Sequence, residues 1–104
     1  MYTTTTETVP DGEIVEIIGV ARGNTVEARN VGRDITQSLR NVIGGEMKAY
    51  SELLSKARDE AISRAELQAE EMGADALVNL RLETSTVVEG GAEVLAYGTA
   101  VRIE

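Results

Sequence analysis

The sequence predicts an α+β domain in which a small antiparallel or mixed sheet packs against one long helix. The stretch from Glu46 to Met72 contains no glycine or proline and is rich in strong helix formers. After Gly73 the segments Leu77–Val88 and Ala92–Ile103 partly alternate between apolar and polar residues. Glu89-Gly90-Gly91 separates them, which is typical of a β-hairpin. We therefore expect one domain over residues 1–104, in the order β(β)ααββ.

The N-terminal part predicts one strand and leaves a second one open. Residues 1–8 are compatible with an edge strand or with a flexible arm. Ile14–Val20 is an almost continuous apolar run, which is typical of a strand that is covered on both faces. Gly19 and Gly23 indicate a bend or a close backbone approach where this strand ends. Residues 24–30 fit either a second strand or an extended loop.

Two helices are predicted in the middle of the chain. Apolar residues recur at the helical period between Asp34 and Ile43, so a short helix precedes the long one. Gly73 marks the end of the long helix. One stripe of this helix is apolar, and it consists of Met47, Tyr50, Leu54, Ala57, Ala61, Ala65, Ala69 and Met72. Its four alanines predict a close approach to whatever the helix packs on.

The chain has no cysteine and no histidine. It therefore has no thiolate nucleophile, no imidazole base, no disulfide and none of the sulfur and imidazole ligands of zinc, copper or iron sites. Methionine is the remaining soft ligand, and Met47 and Met72 are separated by roughly 37 Å along an ideal helix. We expect no metal site, no cofactor and no binding of soft metals by this chain.

Acidic residues on the long helix offer oxygen ligands, but they line up along a rigid rod. The outward-facing acids are Glu52, Asp59, Glu66 and Glu70. A solvated acidic face is favoured over a cation site, because these positions do not converge on one point. Asp59 and Glu60 are adjacent in sequence and point about 100° apart around the helix, so they cannot act jointly as acid and base. We expect no catalytic residue, although an enzyme that uses carboxylate or arginine chemistry in an assembled ring stays open.

The formal net charge of −8 bears on partners and location. Nucleic acid and anionic membrane surfaces would repel such a protein. The acidic balance would suit a high-salt cytoplasm, since salt screens exposed charges. The sequence shows no signal peptide and no apolar run long enough to span a membrane. We expect a soluble, cytoplasmic protein.

Several segments together resemble a known family. They are GVARG at 19–23, NVGRDI at 30–35, VIGGEMKAY at 42–50, KARDEA at 56–61, GADALV at 73–78 and AYGTAV at 96–101. In this order and spacing they are similar to the YbjQ-like family, which carries the label "putative heavy-metal-binding". The resemblance implies a small α+β subunit that assembles into a ring, typically a homopentamer, with no established biochemical role. Because this chain has no cysteine and no histidine, it lacks the ligands that the heavy-metal label of the family implies.

Three arginines are candidate ligand-binding residues. Helical phase places Arg58 in the middle of the apolar stripe, which predicts a buried ion pair or an inter-subunit contact, or else a contact with an anionic ligand. Arg22 and Arg33 belong to the basic segment 17–45, which carries four arginines and two acids. Docking of this segment on the acidic helix of the next subunit is favoured over the alternative, which is binding of a small anion at a subunit junction.

Overall fold

A computed structural model describes residues 1–26, 45–88 and 91–104 of the chain. The described elements are β1 (Tyr2–Thr3), β2 (Ile14–Val26), α1 (Gly45–Glu71), β3 (Ala76–Val88) and β4 (Gly91–Ile103). A four-stranded mixed sheet, ordered β1-β3-β4-β2, packs against α1. β1 pairs with β3 in parallel, and the other pairs are antiparallel. The predicted α+β architecture, long helix and C-terminal hairpin are confirmed.

β2 is longer than the sequence predicts. It continues through both glycines to Val26, so residues 24–26 complete the same strand. The rest of the ambiguous segment 24–30 lies outside the described residues, as does the predicted short helix Asp34–Ile43. Gly19 marks an irregularity rather than an end, because the register with β4 shifts between Ile17 and Gly19.

The prediction that the apolar run of β2 is covered on both faces is wrong for the single chain. Val15, Ile17 and Val20 are 53%, 72% and 67% exposed. β2 is an edge strand, and α1 covers one face of the sheet only. Apolar composition alone does not reveal which face a neighbouring element covers.

The layer between α1 and the sheet consists of small side chains. Ala57, Ala61, Ala65 and Ala69 recur at intervals of four and are at most 1% exposed. They belong to one cluster with Ala21, Leu77, Leu80, Val94, Ala96 and Ala100. Side chains this small allow the helix to lie very close to the strands, as the four alanines predict.

The C-terminus of α1 is closed by a glycine motif. Gly73 has a φ of 87°, in the left-handed region that favours glycine. Its N–H donates to the carbonyl of Glu70, and the N–H of Ala74 donates to the carbonyl of Ala69, both at 3.0 Å. These two bonds define a Schellman motif. The predicted stop at Gly73 is confirmed.

The N-terminal residues lie along the outer edge of β3. Beyond β1, the N–H of Thr4 donates to the Leu77 carbonyl, and the N–H of Leu80 donates to the Thr4 carbonyl. Val9 then packs in a small second cluster with Ala76, Val78 and Val101. Since Val78 and Val101 alternate with the helix-facing residues of their strands, this cluster lies on the sheet face opposite α1.

Candidate functional site

Opposite α1, the Val9 cluster covers the part of the sheet around Val78 and Val101. No described element covers the part around Ile17, Val20 and Arg22, which we call the open sheet face. In the β2–β4 ladder, the pairs Ala21–Gly98, Gly23–Ala96 and Thr25–Val94 face the helix, and they alternate with Val20–Thr99, Arg22–Tyr97 and Asn24–Leu95. The latter three pairs therefore lie on the open sheet face. Ile17 pairs with Val101 and lies on the same face.

β2 carries three exposed apolar residues: Ile17 and Val20 lie on this face, and Val15 lies in the irregular stretch between Ile14 and Glu16. We call Val15, Ile17, Val20 and Arg22 the β2 patch. Its three apolar members fall within six residues of one edge strand, and each is more than half exposed. Contiguous exposed apolar side chains on a strand edge mark an interaction surface, since isolated surface leucines or valines need no explanation but a cluster does.

Arg22 is the charged member of the β2 patch and lies beside an aromatic ring. Its N–H donates to Oε1 of Gln68 at 2.6 Å, so this N–H points away from β4. Arg22 and Tyr97 therefore form a non-hydrogen-bonded pair, in which the two Cα atoms lie about 4.5 Å apart and the side chains lie close together. The Arg22 side chain is exposed, and within the described ranges it forms no ion pair. A partner with negative charge can reach it from solvent.

Arg81 occupies the other side of Tyr97, in register on β3. Its Nη1 donates to the carbonyl of Leu80 at 2.9 Å and to that of Thr5 at 3.2 Å. These bonds hold the Arg81 guanidinium toward the N-terminal residues. Of the two described arginines on this sheet face, Arg22 is therefore the one that is presented more freely.

Two side chains of α1 cover the outer edge of β2 beyond Val20. Oε1 of Gln68 accepts the N–H of Arg22, and Nη1 of Arg64 donates to the carbonyl of Asn24 at 2.6 Å. Arg64 is itself held by Glu60, since its Nη2 lies 2.7 Å from Oε1 of that residue. The backbone groups of Arg22 and Asn24 that face away from β4 are thus already paired.

The outer surface of α1 carries acids around one exposed apolar side chain. Glu52, Asp59 and Glu70 are exposed, as predicted, whereas Glu66 is half-buried and accepts a hydrogen bond from the hydroxyl of Thr3. Leu67 is 56% exposed. In the part of the chain that the structure describes, no three Asp or Glu side chains are grouped so that they could hold a metal ion.

Arg58 does not lie where helical phase placed it. It is exposed, so the prediction that it projects into the middle of the apolar stripe is wrong. At this level of the helix the buried residue is Ala57, and Arg58 points about 100° away from it. Arg22 lies on the open sheet face and Arg58 on the helix layer, so one subunit does not bring them together. Arg33 lies outside the described residues.

The donor set of the chain does not fit a soft metal. No cysteine or histidine is present. Among the methionine side chains that the structure describes, that of Met72 is half-buried and packs against the main cluster, with its Cε near Gly19. That thioether is already part of the core packing. Met1 is 44% exposed and offers one weak ligand only.

Sequence reasoning identified Arg22 but missed Leu67, Gln68 and Tyr97. Leu67 carries a readable signal, because it is a leucine out of phase with the apolar stripe on an otherwise polar helix surface. Gln68 and Tyr97 carry none, since their roles depend on which strand residue lies opposite them.

No helix within the described residues is long and apolar enough to cross a membrane.

The geometry defines a class of protein, namely a two-layer α+β fold in which one helix packs on one face of a four-stranded mixed sheet. The model of the YbjQ family described as "Putative heavy-metal-binding" matches residues 1–104. The chain therefore belongs to this family.

Curated relatives and one solved structure agree with this assignment. A UPF0145 protein of Natronomonas pharaonis is 76% identical over 103 residues, which cover 99% of both chains. One of Archaeoglobus fulgidus is 55% identical over 100 residues, covering 96% of this chain and 93% of that protein. A crystal structure from Pediococcus pentosaceus, of a DUF74 family protein with unknown function, has a TM-score of 0.67 at 18% identity. It covers 100% of this chain and 98% of its own. This likeness concerns the fold.

Proposed function

We propose that this chain is the subunit of a homo-oligomeric ring, most readily a pentamer, that serves as a cytoplasmic interaction or ligand-binding module. The observation that carries the proposal is the exposure of Ile17 and Val20, at 72% and 67%, on an edge strand. Fully burying such a side chain is worth about 1.5–3 kcal/mol. Contact with a second copy would recover this free energy.

Two further observations support an assembling module over a metal carrier or an enzyme. Cysteine and histidine are missing, so the ligands that soft metals prefer are not present in this chain. The titratable side chains described are spread over the surface rather than grouped. A subunit that works by contact requires neither ligands nor a catalytic group.

The oligomeric state of Ile17→Asp tests the proposal. We expect native mass spectrometry and light scattering to show a ring for the unmodified protein at micromolar concentration and a monomer for Ile17→Asp. Ser85→Asp is the matched control, because Ser85 is an exposed strand residue on β3, away from the β2 patch. A monomeric unmodified protein, or an Ile17→Asp variant that assembles normally, would refute the proposal. Fractionation of host cells tests the cytoplasmic location.

A small anion bound by Arg22 is a second candidate function. The observation that favours it is the exposed Arg22 guanidinium beside the half-buried Tyr97, with Arg81 on the far side of the ring. Guanidinium groups bind carboxylates and phosphates through paired hydrogen bonds. In a phosphate titration followed by NMR, the Tyr97 and Arg22 resonances should shift, and Arg22→Ala should abolish saturation. Equal behaviour of Arg22→Ala and Arg58→Ala would exclude a specific role for Arg22.

A further inference from the structure

We infer that the surface that meets the β2 patch is the outer face of α1 on the next copy of this chain, centred on Leu67. The inference rests on the proposed assembly and identifies the partner surface. Leu67 lies on the helix layer, whereas Ile17 and Val20 lie on the open sheet face, so the two surfaces are on opposite sides of the molecule.

Exposed apolar side chains are distributed in two places that complement each other. Of the large hydrophobic residues that the structure describes, four are more than half exposed, namely Val15, Ile17, Val20 and Leu67. Three form the β2 patch, and the fourth stands alone on α1. The other large apolar residues of the helix from Ser51 onward, Leu53, Leu54 and Ile62, are half-buried. Leu67 is therefore the large apolar side chain of this described helix surface that a contact could bury, and the acids beside it decide which surface it fits.

The charged member of the β2 patch and the acids beside Leu67 are opposite in sign. Glu70 and Glu71 follow Leu67 by three and four residues, so they lie beside it on the helix surface, and both are exposed. The nearby guanidinium of Arg64 is already engaged by Glu60 and by the Asn24 carbonyl. On the β2 patch the charged member is Arg22, next to Val20. Contact between the surfaces would bring Arg22 to the acids beside Leu67, which favours this pairing over wrong partners.

Pairing of unlike surfaces also fixes the kind of symmetry. If the β2 patch met itself across a two-fold axis, Leu67 would stay exposed, and Arg22 would not reach the acids beside Leu67. A contact between the patch of one copy and the helix of the next is heterologous, and such contacts close into rings when the rotation permits. The inferred contact therefore belongs to a cyclic assembly of more than two subunits.

The decisive experiment mixes two variants, each of which lacks one of the two surfaces. We expect Ile17→Asp and Leu67→Asp to be monomeric when separate, because each removes one half of every contact. Mixed at equal concentration, they should form 1:1 dimers, since Leu67 of the first meets the intact β2 patch of the second. Native mass spectrometry reports the stoichiometry. Ser55→Asp, an exposed helix position about 120° from Leu67, is the control and should leave the ring intact.

The outcomes separate this inference from the proposed function. If Ile17→Asp is monomeric while Leu67→Asp still assembles, the partner surface is a different one, and the proposed assembly stands. If neither substitution affects assembly, both proposals fail. A mixture that stays monomeric overturns the heterologous contact. Circular dichroism first establishes that both variants are folded. If Leu67→Asp does not fold, Leu67→Asn provides a milder replacement.

A charge exchange tests the same contact without removing the apolar residues. Arg22→Glu and Glu70→Arg should each weaken assembly, by about threefold or more in dissociation constant at low salt, and the double variant should recover most of the loss. The effect should shrink at about 1 M salt, where screening is strong. Single and double variants whose effects simply add would contradict a contact between these two residues.

Discussion

Gly23 of β2 lies directly beneath Ala65 of α1, with no room for a side chain between them. A Cβ built on Gly23 would approach the backbone nitrogen of Ala65 and would come within 2.6 Å of the carbonyl carbon of Arg64. Both residues are buried, and Ala65 is fully inaccessible to solvent. The helix and the strand therefore touch backbone to backbone at this point, which fixes how closely the two layers pack.

Gly23→Ala should destabilise the fold. The added methyl group would displace the backbone of α1, and overpacking of this kind costs about 1–3 kcal/mol of unfolding free energy. Urea unfolding followed by circular dichroism measures the loss. Ser63→Ala, an exposed substitution on the same helix, should change the unfolding free energy by less than about 0.5 kcal/mol. A Gly23→Ala variant as stable as this control would show that the layers can move apart freely.

Gly73→Ala should weaken the end of α1. The φ of 87° at Gly73 is unfavourable for a residue with a Cβ, so we expect a loss of about 1 kcal/mol. Gly73→Asn is the matched control, because asparagine tolerates the left-handed region better and should lose less. Thermal unfolding of the two variants gives the comparison. A Cβ built on Gly73 lies 3.2 Å from Nη2 of Arg102. If both variants lose the same unfolding free energy, the limited space beside Arg102 matters more than the φ of Gly73.

Thr25→Val should remove one buried bond between strand and helix. Thr25 is 4% exposed, and its hydroxyl donates to the carbonyl of Ala57 at 3.1 Å. Loss of such a bond costs about 0.5–1.5 kcal/mol, while the similar shape of valine preserves the packing. Thr84→Val, at an exposed position of β3, is the control and should be nearly neutral. Chemical denaturation distinguishes the two.

Glu71→Lys should stabilise the chain at low salt. Glu71 ends α1, and the last turn of this helix contains no basic residue. A negative charge near a helix C-terminus is unfavourable, and a positive one is favourable by about 0.3–1 kcal/mol. The same replacement at Glu52, far from either end, should give no such gain. If Glu71→Lys stabilises equally at about 0.05 M and 1 M salt, the effect is not electrostatic.

The elements that depend on local sequence could be predicted, and those that depend on a distant neighbour could not. The long helix, its stop at Gly73 and the hairpin follow from propensity, a left-handed glycine and alternation. The extent of β2 does not, because Gly23 looks like a strand end until α1 is placed on it. Arg58 was misplaced because the buried row from Ala57 to Ala69 runs obliquely and turns by about 120° around the helix. One averaged stripe therefore does not show which side of the helix is covered at each turn.

The candidate site was predictable in part. Arg22 was identified from local charge, and the apolar run of β2 was recognised, but its exposure was not. A strand that is covered by another subunit and a strand that is covered by its own chain have the same composition. The sequence therefore predicted the apolar residues of the β2 patch, while the sheet order, which places β2 at an edge, was needed to show that they are exposed.

The bonds from Gln68 and Arg64 to the edge of β2 determine how this sheet can grow. A side-chain amide and a guanidinium take the positions that the backbone of a fifth strand would need opposite Arg22 and Asn24. A neighbouring chain therefore cannot extend the ladder at these two residues of β2 without first displacing the Gln68 and Arg64 side chains. The helix thus protects this part of the edge against the open-ended strand stacking that leads to fibres.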